Sequence, residues 1–294
     1  MNILQAIILG IVQGLTEFIP ISSTAHLIFA GRLTGLSQSL SAEQVTATIA
    51  VIQLGTLAAV FIYFARDMWA ISHAFVRDHL ALLRGGGVPG RDGGGFFSRL
   101  SGDARLGWLI LIGSLPIGVV GLLFKDVIEG SLTKNLWVIA TMMVLVALLL
   151  LAAERVGRRR KEMGDLTLGD ALAVGFAQVL ALVPGASRSG STMMGGLFAG
   201  ETRETAARFS FLLSIPAITA SGLLELNEAF EKLPAGSAAP LAVATVVSGV
   251  VGYASIWFLL RFLRTHSTGV FIGYRLVIGA LVFALLAAGV VAPL

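Results

Sequence analysis

Six stretches of this chain are apolar over about twenty residues each, the length a helix needs to cross a bilayer: 45–65, 106–124, 135–154, 207–226, 239–262 and 270–291. Mean hydropathy is +0.87. Charged side chains make up 13% of the 294 residues, against about 25% in a soluble domain. In lipid every backbone polar group must be satisfied internally, and apolar runs of this length do so as helices. The expected fold is therefore an all-α polytopic membrane protein, a single integral domain over residues 1–294. The first fourteen residues carry no basic leader and no small-residue cleavage site, so they are expected to be retained as structure.

Charge is unevenly spread between the spans. Arg66, Arg77, Arg84, Arg91, Arg99 and Arg105 fall in 66–105; Arg155, Arg158, Arg159, Arg160 and Lys161 follow the third span; Glu225, Glu228 and Glu231 oppose Lys232 in 225–232. The bias of Lys and Arg toward cytoplasmic loops puts 66–105 and 155–165 inside and leaves 125–134 and 227–238 outside, with Arg261 and Arg264 inside again. The net charge of +4 then belongs to loops at an anionic leaflet, not to nucleic-acid binding. With no cysteine, the chain has no disulfide, thiolate nucleophile or Cys-ligated metal. The segment 85–95 is a flexible Gly-rich cytoplasmic linker that lacks the spacing of a phosphate-binding loop.

The alternation of loops works only if 1–40 and 166–203 are not simple spans. Each contains a proline amid small and hydroxylic residues: Gln13-Gly14-Leu15-Thr16-Glu17-Phe18-Ile19-Pro20-Ile21-Ser22-Ser23-Thr24-Ala25-His26, and Pro184-Gly185-Ala186-Ser187-Arg188-Ser189-Gly190-Ser191-Thr192. Each reads as two half-helices meeting inside the membrane, a re-entrant hairpin, the first entering from outside and the second from the cytoplasm. Ala6, Gly10, Gln13 and Leu15 share a pattern with Ala171, Gly175, Gln178 and Leu180, and each set is followed by a proline and a hydroxyl-rich run. Three spans separate the two, which gives inverted repeats over about 1–124 and 166–262, an architecture that puts a binding site near the midplane.

Ionisable groups at that depth are expensive and carry function, which singles out Glu17, His26 and Arg188. Gln13 and Glu17 are four apart and share a helix face. Ser22, Ser23 or Thr24 suits the cap of a half-helix beginning near Ala25, and Ser187 or Ser189 suits the cap of the other. Gly185 breaks the helix with Pro184, and Gly190 admits close backbone approach to a ligand. A helix N-terminus with free N–H groups, hydroxyls and an arginine is an anion site suited to phosphate, which draws in Ser22, Thr24, Gly185, Ser187, Ser189, Gly190 and Thr192. A carboxylate beside phosphate calls for a bridging hard cation, Mg²⁺ or Ca²⁺, held by Glu17 with Gln13. Ser23 and His26 are spaced as a nucleophile and a base. The set suits phosphoryl transfer. Hydroxyl runs also serve as packing contacts between membrane helices, and a lone intramembrane glutamate also serves as a proton carrier. Arg203 and Arg208 suit either phosphate binding or the cytoplasmic boundary.

At these residues the chain resembles the bacterial undecaprenyl-pyrophosphate phosphatases, or bacitracin-resistance proteins. The family's [EQ]-x3-E motif followed by P-x-S-S-T-x-H runs here from Gln13 to His26, and its P-G-x-S-R-S-G-x-T motif from Pro184 to Thr192. Phe209-Ser210-Phe211-Leu212-Leu213 with Pro216 also fits. The resemblance implies a multi-pass enzyme of the bacterial inner membrane that hydrolyses undecaprenyl pyrophosphate with a divalent cation; the site is expected to open toward the periplasm. Such an enzyme recycles the lipid carrier for peptidoglycan synthesis and opposes bacitracin. Its partners are the polyprenyl lipid and the membrane, with a homodimer allowed. By position, Gln13 and Glu17 match the acidic motif, Ser23 and His26 the nucleophile or base, and Arg188 the phosphate-binding arginine. Gln in place of Glu at position 13 leaves one carboxylate in that motif. The nucleophile stays open among Ser23, His26 and water. The rival reading is a polyprenyl-phosphate transporter, since inverted repeats with broken helices are also a carrier architecture.

Overall fold

The computed structural model describes residues 1–36, 41–84, 95–124, 135–232 and 236–293. Eleven α-helices carry them: α1 (Ile3–Phe18), α2 (Ser23–Leu33), α3 (Ala42–Tyr63), α4 (Ala65–Leu83), α5 (Gly102–Leu123), α6 (Leu136–Val156), α7 (Leu168–Val179), α8 (Arg188–Ala199), α9 (Arg203–Lys232), α10 (Ala238–Leu263) and α11 (Gly269–Ala287). No strand occurs among the described residues; one isolated bridge joins Lys161 and Glu201. Several starts follow from local sequence. Asn2 with Gln5, Ser41 with Gln44 and Thr167 with Asp170 each form a reciprocal capping box that satisfies the first backbone N–H groups of α1, α3 and α7.

Five helices, α3, α5, α6, α10 and α11, are long and apolar enough to cross a bilayer, and they coincide with five of the expected spans. The sixth expected span, 207–226, falls within the thirty residues of α9. The Gly-rich residues 85–94, the stretch 125–134 expected to face outside, and the side chains of Glu43, Glu225, Glu228 and Glu231 lie outside the described residues.

One reading needs correction. The arginine-bearing stretch 66–105 is not all loop: α4 and a 3-10 turn at Phe96–Arg99 lie within it. Arg66 and Arg77 are exposed on an amphipathic helix whose Ile71 and Phe75 pack against Gly107 of α5, Arg105 already belongs to α5, and Asp78 accepts the backbone N–H of Ser101 at 2.7 Å.

The helices pack in a crossed pattern. The first half-helix α1 lies along α10, α7 lies along α5, α3 contacts both α9 and α10, and α9 contacts α5. A separate pair, α6 and α11, packs together, and α6 also lies against α8. The repeat-matched glycines sit at the two crossed contacts. A Cβ on Gly10 would lie 2.6 Å from the Ala244 carbonyl, and one on Gly175 would lie 2.2 Å from that of Gly113. No side chain fits at either approach. An apolar cluster holds the inner end of α1: Phe18 meets Phe211 of α9 edge-on at 5.4 Å, with Phe64 and Met193 completing it. Phe18 is the neighbour of Glu17, so this packing fixes the height of the carboxylate.

Candidate active site

Both broken helices stop before a proline and restart immediately after a serine, Ser22 or Ser187. The α1 helix ends at Phe18, before Pro20; the turn Leu180–Leu182 that follows α7 ends before Pro184. Ser22 (φ 79°, ψ 98°) and Ser187 (φ 70°, ψ 118°) then adopt positive φ. That conformation costs a non-glycine residue about 1–3 kcal/mol and persists only where the surroundings enforce it. The two serines cap differently. Ser187 accepts the N–H of Gly190 on its hydroxyl at 3.2 Å. Ser22 makes no side-chain cap; its carbonyl instead accepts Nδ1–H of His26 at 2.7 Å. Helix α2 begins at Ser23, two residues before the start expected at Ala25. Gly185 is obligatory in the second break: its φ is +94°, and a Cβ would lie 2.3 Å from the carbonyl of Ile139.

The breaks bring Glu17 and Arg188 together across 171 residues of sequence. Arg188 Nη2 donates to Glu17 Oε1 at 2.6 Å, with side chains 14% and 7% exposed. Gln13, one turn before Glu17, donates Nε2 to Glu17 Oε2 at 3.1 Å and to Thr56 at 3.4 Å. Because Nε2 must face the carboxylate, Oε1 is the free end of that amide. Gln13 Oε1 and Arg188 Nη1 are buried and have no protein partner. The centre therefore presents one acceptor and one charged donor that a ligand can satisfy.

The remaining expected residues divide. Ser189 and Gly190 are buried in the first turn of α8, and Ser187 and Ser189 share a hydroxyl contact of 3.2 Å. Thr192 turns back onto the carbonyl of Arg188 at 2.8 Å and meets Ser210 of α9 at 2.5 Å, so its hydroxyl ties helices together. Ser23 is half-buried and Thr24 exposed at the start of α2. His26 does not bond to Ser23. With Nδ1–H given to a carbonyl, the neutral ring has a lone pair on Nε2, and the hydroxyl of Tyr274 on α11 donates to it at 2.7 Å. Tyr274 also stacks on the ring at 5.6 Å.

Two residues escaped the sequence reading. Tyr274 is one. The other is Arg275, wholly buried, whose guanidinium donates to the carbonyls of Met143, Met142, Pro20, Gly185 and Ala186 at 3.0–3.3 Å. The signal was present: an arginine within the apolar stretch 270–291. Arg203 and Arg208 do not join the centre. Arg203 pairs with Glu154, which also accepts from Arg159 and Thr268, and Arg208 pairs with Asp67.

Fold and site define an all-helical, multi-pass membrane protein with a charged centre where two broken helices converge. The family model described as "Bacitracin resistance protein BacA" matches residues 6–281, and the chain belongs to that family. A protein of Syntrophobacter fumaroxidans named undecaprenyl-diphosphatase is 53% identical over 99% of this chain and 100% of its own length. Proteins of the same name from Nocardia farcinica and Mycolicibacterium gilvum are each 46% identical, covering 99% and 100% of this chain and 98% and 100% of their own. The resemblance read from Gln13–His26 and Pro184–Thr192 is borne out at the level of the family.

Proposed function

We infer that this protein hydrolyses undecaprenyl pyrophosphate to undecaprenyl phosphate and inorganic phosphate, returning the lipid carrier to peptidoglycan synthesis and thereby conferring resistance to bacitracin. The observation that carries the chemistry is Arg188. One terminal nitrogen is held by Glu17 at 2.6 Å, and the other is buried with no partner at the N-terminus of α8, where backbone N–H groups add to the attraction for an anion.

In this reading the polyprenyl tail lies in lipid and the pyrophosphate enters between the two breaks. Arg188 Nη1 and the first-turn N–H groups of α8, with Ser187 and Ser189, hold the terminal phosphate. Glu17 keeps Arg188 aimed, and Ser22 and Thr24 line the opposite turn. The residues that would hold a divalent cation are Glu17, whose two oxygens already accept from Arg188 and Gln13, and Gln13 through its unpartnered amide oxygen, with substrate phosphate and water supplying the rest, as Mg²⁺ sites commonly do. Bound there, Mg²⁺ or Ca²⁺ would neutralise charge on the pyrophosphate. The Ser23 hydroxyl attacks the terminal phosphorus to give a phosphoserine that water then hydrolyses to inorganic phosphate, or a water attacks the phosphorus directly. The anhydride P–O bond breaks, undecaprenyl phosphate leaves, and His26 Nε2 takes the nucleophile's proton once Tyr274 yields that lone pair. Either nucleophile consumes one water overall.

The layout we propose is six spans, with α9 as the sixth, and two re-entrant hairpins, α1–α2 and α7–α8, related as inverted repeats in the inner membrane. The crossed packing of α1 on α10 and α7 on α5 supports it, as do the positive φ at Ser22 and Ser187. We take the cleft to open toward the periplasm and leave a homodimer as the assembly to test. The same crossed layout also suits a polyprenyl-phosphate carrier. The deciding experiment is phosphate release from undecaprenyl pyrophosphate by purified protein in detergent, with and without EDTA, beside Arg188→Ala. EDTA-sensitive release that the variant loses supports the phosphatase. No release from folded wild type with either Mg²⁺ or Ca²⁺ favours the carrier, to be tested by lipid flux in vesicles.

A further inference from the structure

Arg275 stands outside both motifs, yet it touches both helix breaks. Its guanidinium joins three elements in one plane. Nε bonds the carbonyl of Met143 and Nη2 that of Met142, both on α6. Nη1 bonds the carbonyl of Pro20 at 3.3 Å. Nη2 also meets the carbonyls of Gly185 and Ala186, each at 3.0 Å, so its two hydrogens are shared among three acceptors. Among the described residues no carboxylate pairs with it. Breaking a helix inside a membrane frees carbonyls that must find donors from neighbouring protein, and here one side chain supplies donors to both breaks.

The bonded carbonyls have a common place. Pro20 lies two residues before Ser22, and Gly185 and Ala186 immediately precede Ser187, the two serines held at positive φ. Strained residues keep their conformation only where contacts enforce it. The guanidinium also lies under the first turn of α8: a Cβ on Gly190 would be 3.3 Å from Nη1. The turn that delivers Ser23 and the turn that delivers Arg188 are thus referenced to one rigid group, itself anchored on α6.

We propose that Arg275 is a positioning residue that sets the separation and register of the two broken helices, and so the placement of Ser23 against Arg188. The proposal rests on the phosphatase reading for its kinetic part only. The rigid fork is the operative feature. Lysine carries the same charge but offers three donors on a flexible stem and no planar fork.

The test compares wild type, Arg275→Lys and Arg275→Gln, purified in detergent, by steady-state phosphate release and by amide hydrogen exchange. Misplacement of reacting groups by about 1 Å costs about 100-fold in rate. Both variants are therefore expected to lose about that much kcat, with KM shifting by less than about threefold. Amide exchange should rise together in 19–26 and 183–190 and stay at wild-type levels in α3 and α10. Arg275→Lys with wild-type kcat would overturn the proposal, because charge alone would then suffice. A rise at one break only, at neither, or throughout the protein would also overturn it. If wild type releases no phosphate but both breaks loosen together in the variants, the enzymatic reading fails and the positioning role stands.

Discussion

The ion pair between Glu17 and Arg188 allows stability and catalysis to be separated. Both side chains are largely buried, at 7% and 14% exposure, and meet at 2.6 Å. Removing one member leaves the other charge buried and uncompensated, which costs about 3–5 kcal/mol. Glu17→Gln strands the guanidinium. Arg188→Gln strands a carboxylate whose remaining bond is to the Gln13 amide at 3.1 Å. Each single variant should melt roughly 10 °C below wild type, taking about 2–4 °C per kcal/mol for a chain of this size class. The double variant holds two neutral amides in place of two charges, so it should recover most of that loss. Activity should not recover. A preorganised donor to the transition state is worth about 3–4 kcal/mol, or 10²–10³-fold in rate, and the double variant still lacks it. Thermal unfolding in detergent and phosphate release, measured on all four proteins of the cycle, decide the matter. Additive stability losses would show that the pair is not energetically coupled. A double variant that turns over near the wild-type rate would refute the role given to Arg188.

Other consequences follow from single residues. Glu201, fully buried between α8 and α9, has a carboxyl pushed up to about 8 by burial and then by the charge of Asp170, against a smaller opposing effect of Lys161. Between its ordinary 4.5 and 8 the unfolded chain ionises while the folded protein keeps the proton, so stability falls as pH rises through that window. Glu201→Gln should remove this slope and be the more stable protein by about 3 kcal/mol at pH 7; melting curves that stay parallel from pH 5 to 8 would exclude it. Tyr274→Phe keeps the stacked ring but frees the His26 Nε2 lone pair that must take the nucleophile's proton, so kcat should rise by up to about tenfold, the worth of one hydrogen bond. A fall in kcat would show instead that the hydroxyl orients the ring. Gly185→Ala must accommodate a positive φ and a Cβ 2.3 Å from a carbonyl on α6; it should lower both the melting temperature and phosphate release, and wild-type behaviour would refute the need for glycine there.

The parts of this molecule that the sequence makes legible are those written in side-chain type at short range. Unbroken apolarity marks α3, α5, α6, α10 and α11, because lipid rewards it at every turn of a helix. Pro20 and Pro184 mark the breaks because proline removes a donor. The α4 helix is hidden because arginines on one face of an amphipathic helix look, in sequence, like a charged loop. The pairing of Glu17 with Arg188 spans 171 residues, and no local spacing encodes it; only the shared expense of burying each charge suggests that they meet. The spacing of Ser23 and His26 invited a hydrogen bond that the fold does not make, because the strained turn at Ser22 places its carbonyl nearer to the ring. Arg275 is the instructive omission. The rule that selected Arg188, an ionisable group in an apolar run, applies to it equally. What hides it is that no second charge or hydroxyl-rich run lies beside it in sequence. Its partners are five backbone carbonyls, and a carbonyl carries no residue identity. A buried cation served by the main chain therefore leaves one trace in sequence, the solitary charge itself. In a membrane chain with broken helices, that solitary charge points to freed carbonyls nearby.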